Sequence, residues 1–74
     1  SFNNREIFLN AFNNHASKIV IAHNHPSQNV SPSLADKKAT IEIKKASLLI
    51  GIELVDHIIV SYNDYFSFKE NGLI

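Results

Sequence analysis

The chain has 74 residues, 45% of them hydrophobic, with seven basic and seven acidic side chains and no cysteine. That is room for one small domain, and it excludes a TIM barrel of about 250 residues, a disulfide framework, a thiolate zinc knuckle and a cysteine nucleophile. Balanced charge argues against a dedicated nucleic-acid or membrane binder, and the longest apolar run, residues 48–52, is far too short to span a bilayer. No signal-peptide pattern opens the chain, so a cytoplasmic protein is expected. The lack of methionine and the start at Ser1 lead us to expect a piece of something longer.

Ile7, Phe8, Ala11 and Phe12 step as i, i+1, i+4, i+5, which is one face of a helix over residues 4–14. Asn3 or Asn4 can cap its start, and Asn14 can take the left-handed position at its end. The β-branched run KIVIA at 18–22 predicts a buried strand leading into His23-Asn24-His25-Pro26. Two prolines and several polar residues make 26–32 a loop. Ser33, with Asp36 three residues on, has the pattern of a capping box and opens a second helix. Ala35, Ala39, Ile43, Ala46 and Ile50 form its predicted inner face, and Gly51 ends it. Residues 53–61 (ELVDHIIVS) predict a second strand, 62–64 a turn and 65–67 a short return strand. Ser67-x-x-Glu70 then caps one final helical turn closed by Gly72. The order helix, strand, helix, strand, strand, short helix describes an α/β layer with a small mixed sheet. Three strands leave at least one bare edge, which a fuller domain or a homodimer partner would cover.

The chemistry concentrates in His23, His25, Ser33 and Asp36. On an extended backbone residues i and i+2 point to the same side, so both imidazoles can meet one metal. Asp36 falls in the first turn of the following helix, which a strand-loop-helix unit can fold back over the strand end. Two histidines and one carboxylate leave a tetrahedral zinc with an open fourth position, the composition of a catalytic site. Zinc there would lower the pKa of a bound water to about 7. Each residue also has a structural reading: hydrogen-bonded histidines, Ser33 as N-cap, and Asp36 closing the box and complementing the helix dipole. Capping and functional roles can coexist. Other His-x-His chemistries fit poorly, since Ser27 and Gln28 break the HxHxDH pattern and the amidohydrolase type needs a barrel.

His23-x-His25-Pro26, six residues, Ser33, two residues, Asp36 resembles the signature of JAMM metalloproteases in the JAB/MPN fold. Arg5-Glu6-Ile7-Phe8, HNHPS at 23–27, Pro32-Ser33, Asp56-His57-Ile58-Ile59-Val60, Ser67-Phe68 and Gly72-Leu73 are similar to the bacterial RadC branch. The resemblance spans nearly the whole chain. It implies a cytidine-deaminase-like, three-layer α/β fold, of which this chain is a part lacking the N-terminal strands. It further implies one zinc per chain on His23, His25 and Asp36, with Ser33 hydrogen-bonding the water or an oxyanion. The implied activity is zinc-dependent peptidase or isopeptidase-like hydrolysis. The glutamate that serves such sites as general base belongs to an upstream strand that these residues do not include. Glu6, the only carboxylate before His23, matches the Arg-Glu pair of the helix and not that base. Asn24 stands where many JAMM proteases carry Ser or Thr, and Gln28 where the RadC branch often has Gly. The resemblance also implies an association with DNA repair, through an upstream helix-hairpin-helix region.

His57 is expected to play a structural hydrogen-bonding role, since alternation puts it and Asp56 on opposite faces of the strand. His15 suits the end of the first helix. Lys37, Lys38, Lys44 and Lys45 form a stripe that reads as a solvated face or as a phosphate contact. Tyr62, Tyr65, Phe66 and Phe68 read as strand packing or a sheet edge meeting a partner. The alternatives to a hydrolase of peptides or proteins are a non-catalytic DNA-repair or partner-binding module, and a fragment inactive without the glutamate strand.

Overall fold

A computed structural model describes residues 3–74. Helix α1 spans Asn4–Asn13, and the Asn3 side chain caps it by accepting the Glu6 N–H at 3.1 Å. Ala11 is buried while Ile7 and Phe8 pack on the core. Phe12, expected on the same face, is instead 53% exposed. The left-handed position after the helix falls one residue later than expected. Asn14 keeps φ −100°, and His15 takes the left-handed position at φ 53°. The Asn14 amide bonds the Asn10 carbonyl at 2.8 Å, which holds Asn14 against the last turn.

Strand β1 (Lys18–Asn24) continues past residue 22 and takes in His23. Helix α2 spans Leu34–Ile50 and carries both bonds of the Ser33/Asp36 capping box. It stops at Gly51, whose φ of 74° favours glycine. Its buried face differs from the expected one. Thr40, Ile43 and Ser47 are buried and Asp36 is half-buried, whereas Ala35 and Ile50 are exposed. The inner stripe is therefore 36, 40, 43, 47, largely polar, which apolar periodicity does not register.

Ser47 bears the cost of that arrangement. Its hydroxyl is buried and finds no hydrogen-bond partner among the described residues. A buried unsatisfied hydroxyl costs about 1–3 kcal/mol, so Ser47→Ala is expected to raise stability by about 1 kcal/mol. Urea unfolding of both proteins checks this, and a fall in the midpoint would contradict it.

Strand β2 (Glu53–Val60) lies parallel to β1, and β3 (Tyr65–Ser67) antiparallel to β2, giving the order β1-β2-β3. The core joins Ile21, Ile43 and Leu54, with Ile7, Phe8, Ile19 and Ile74 packed around them. Val20, on the other face of β1, stays 55% exposed. The β1–β2 register matters most for the site. Ile19 pairs with Leu54 but Val20 pairs with Asp56, so Val55 is an extra residue. This bulge reverses the alternation of β2. Leu54 points inward, and so do His57 and Ile59, where regular alternation from Leu54 would have turned Asp56 and Ile58 inward. The expected final helix is a single hydrogen-bonded turn. The Ser67 hydroxyl accepts the Glu70 N–H at 3.0 Å, and Gly72 closes the turn at φ 70°.

Candidate metal centre

His23 lies near the C-terminal end of β1, His25 just beyond it, and Asp36 in the first turn of α2. Among the described residues these three form a cluster able to hold a metal, with one ligand atom from each lying within 4.8 Å of the others. Extended backbone puts both imidazoles on one side, with ring centres 5.0 Å apart. The capping box aims Asp36 at them. Asp36 Oδ2 accepts the Ser33 N–H at 2.8 Å and faces His25 Nε2 at 2.9 Å, while Oδ1 faces His23 Nε2 at 3.3 Å. Cap and candidate ligand are thus the same carboxylate. The Ser33 hydroxyl accepts the Asp36 N–H at 3.0 Å and keeps its own proton to donate. The Gln28 side chain accepts the Tyr62 N–H at 3.1 Å, tying the loop before α2 to the β2–β3 turn.

Two further residues complete the arrangement, and the site reading of the sequence did not include them. His57 is fully buried and takes the hydrogen-bonding role expected of it. Its Nε2 lies 3.0 Å from His23 Nδ1, and its Nδ1 lies 2.6 Å from the hydroxyl of buried Thr40. Phe68 stacks on the ring with centroids 4.4 Å apart. No local pattern announces this contact, because it depends on the bulge and on parallel pairing of segments 34 residues apart. Glu6 sits exposed in the first turn of α1, and Lys37, Lys38 and Lys45 are exposed on α2.

The electrostatics reflect a crowded donor set. Burial, together with the adjacent His23, pushes the His57 pKa down to about 4. Burial also lowers His23, against the pull of Asp36. His25 moves up, because its hydrogen bond to the Asn29 carbonyl, aided by Asp36, outweighs its burial. Burial pushes Asp36 up, but its bonds to Ser33 and His25 outweigh burial and hold it below the usual carboxylate range.

The donor chemistry fits a cation. A carbonyl only accepts, so the 2.9 Å contact with Asn29 puts a proton on His25 Nδ1. In the neutral ring the Nε2 lone pair then faces a carboxylate oxygen at 2.9 Å. Two electron pairs at that distance repel unless a proton or a metal ion lies between them. Two imidazole nitrogens and a carboxylate are a donor set suited to zinc.

Fold and site together define a small α/β domain with a two-histidine, one-carboxylate cluster where a strand meets the next helix. The chain belongs to the RadC-like JAB domain family, whose model matches residues 1–73. It is 49% identical over 70 residues to a UPF0758 protein of Chlorobium chlorochromatii, covering 95% of this chain and 32% of that protein. UPF0758 proteins of Clostridioides difficile and Chlorobaculum tepidum are each 51% identical over 70 residues, with 95% of this chain and 30% and 32% of those proteins covered. The chain spans about a third of the length of these curated relatives. Among the described residues no helix is long and apolar enough to cross a membrane.

Proposed function

We propose that His23, His25 and Asp36 hold one zinc ion and that the protein acts as a metal-dependent hydrolase of peptide or isopeptide bonds. The observation that carries this is the convergence of two imidazole Nε2 atoms on one carboxylate, with the outer nitrogen of His25 committed to a carbonyl. When bound there, zinc would supply a Lewis acid and acidify a coordinated water. The chain's own residues do the rest. His23 and His25 orient through their outer nitrogens, and Asp36 is fixed by the α2 cap. Ser33 offers a hydroxyl proton beside the ligands to an oxygen that gains negative charge, a role whose loss elsewhere costs about 10²–10³ in rate. The base that takes the proton from the attacking water is not supplied by Glu6, which belongs to the exposed first turn of α1. In this reading that base comes from sequence outside these residues, as the RadC resemblance implies.

The test compares the full-length protein with its His23→Ala/His25→Ala variant. Elemental analysis is expected to find about one zinc per chain in the first and none in the second. A peptide and isopeptide panel should be cleaved only by the zinc-loaded form. Folded protein that takes up no zinc would sink the reading. A zinc-loaded protein that cleaves nothing but binds DNA in a salt-dependent way would favour a non-catalytic DNA-repair module.

A further inference from the structure

We propose that Thr40 and His57 form a proton-ordered relay that sets the tautomer of His23 and so presents its Nε2 lone pair to a metal. The inference rests on the metal-centre reading and deepens it. The relay starts and ends on one residue. The Thr40 hydroxyl lies 2.8 Å from the Asp36 carbonyl and 2.6 Å from His57 Nδ1. His57 Nε2 lies 3.0 Å from His23 Nδ1, and His23 Nε2 faces Asp36 Oδ1 at 3.3 Å.

The four links share three protons, one each from Thr40, neutral His57 and neutral His23, so one end link is left without a proton and the whole chain has two possible directions. In one, Thr40 donates to the Asp36 carbonyl and accepts from His57 Nδ1. His57 Nε2 then accepts from His23 Nδ1, which leaves His23 Nε2 without a proton and turns its lone pair to the metal side. In the other, Thr40 donates to His57, His57 donates to His23, and His23 Nε2 carries a proton toward Asp36. That second direction blocks the metal-facing nitrogen.

The first direction opposes two electron pairs at His23 Nε2 and Asp36 Oδ1, 3.3 Å apart and partly exposed, where a cation can lie between them. The second opposes them at the shorter contact of buried Thr40 with the Asp36 carbonyl. That carbonyl has no proton to give, and the Thr40 oxygen lies 2.8 Å away. With the hydroxyl proton turned to His57, two oxygen lone-pair lobes would meet at that distance. With the proton turned to the carbonyl, a hydrogen bond forms. Thr40 therefore selects the first direction. Histidine ligands elsewhere are commonly oriented through the nitrogen that does not face the metal, and loss of such a partner costs about 10–100-fold in affinity. Here the partner of His23 is a second histidine, itself oriented by a threonine one turn after a candidate ligand on the same helix. Thr40 and His57 are positioning residues in this scheme.

Two readouts test it in the full chain. Long-range ¹H–¹⁵N spectra of the zinc-free protein at pH 8 locate the ring proton of His23, which should sit on Nδ1. Zinc affinity is then measured by competition with a chromogenic chelator. Thr40→Val keeps the shape and removes the hydroxyl, and it should bind zinc about 10–100-fold more weakly and shift the His23 proton toward Nε2. Thr40→Ser should restore both. A wild-type His23 with its proton on Nε2 would overturn the relay, and so would a folded T40V chain with wild-type zinc affinity. The wild-type spectrum decides even where T40V does not fold. It also separates the two ideas: a protein that binds no zinc yet holds His23 as the Nδ1–H form keeps the relay and loses the metal centre.

Discussion

Asp36→Asn and Asp36→Ala are expected both to abolish tight zinc binding and to differ in stability. The zinc loss should exceed about 100-fold in each, beyond what removal of an outer partner costs, because a ligand and the only negative charge of the donor set are removed. Stability separates them because the same carboxylate closes the α2 cap, accepting the Ser33 N–H at 2.8 Å. Asparagine keeps an oxygen for that bond, and its amide group then takes the Oδ1 place, where an N–H can be offered to the His23 Nε2 lone pair at 3.3 Å. Alanine keeps neither. D36A should therefore lose about 1–2 kcal/mol in the presence of a chelator, the range for a lost cap, while D36N stays close to wild type. Urea unfolding in EDTA at pH 8, beside chelator competition for zinc, measures both. If D36N proved as unstable as D36A, the carboxylate's charge would have to matter more to the fold than its place in the cap.

The same residues show how much of the molecule was legible in advance. Local signals carried well. Asn3 caps α1, Ser33 and Asp36 close the box on α2, and Gly51 ends it, because each depends on residues within a turn of one another. His23 and His25 share a side because spacing on a strand dictates it. What was lost is non-local. The buried stripe of α2 runs through Asp36, Thr40 and Ser47 instead of the alanines, and no hydrophobic pattern reveals a polar face that finds its partners in another segment. His57 reaches His23 only because Val55 is an extra residue in the β1–β2 pairing. Alternation correctly separated Asp56 from His57, but it could not say which of the two faces the core.

Asp56 supports that geometry from the opposite side of the strand, and it carries the second large effect. Next to the bulge its Oδ1 accepts the N–H groups of His57 at 2.7 Å and Lys69 at 2.9 Å, while Oδ2 accepts the Ser67 hydroxyl at 2.5 Å. One carboxylate thereby ties β2 to the end of β3 and to the turn after it, and fixes the backbone of the buried histidine. Asp56→Ala would strand two backbone donors and a serine that is 2% exposed. With about 1–3 kcal/mol for each unsatisfied buried group, and some of them reached by water, a loss of about 2–4 kcal/mol is expected. That is a large share of the stability of so small a domain. The pH dependence has a definite sign. Burial pushes Asp56 up, but the bonds from Ser67, Lys69 and His57 outweigh burial and lower its pKa. Its folded value thus lies below the unfolded one, and its contribution is complete above about pH 4 and is lost as the pH falls through the folded value. Asp36 is shifted the same way, so Asp56→Asn should flatten the acid limb without abolishing it. Urea midpoints of wild type and D56N measured between pH 2.5 and 6 would converge toward low pH. Parallel curves would mean that Asp56 is held by its shape and not by its charge.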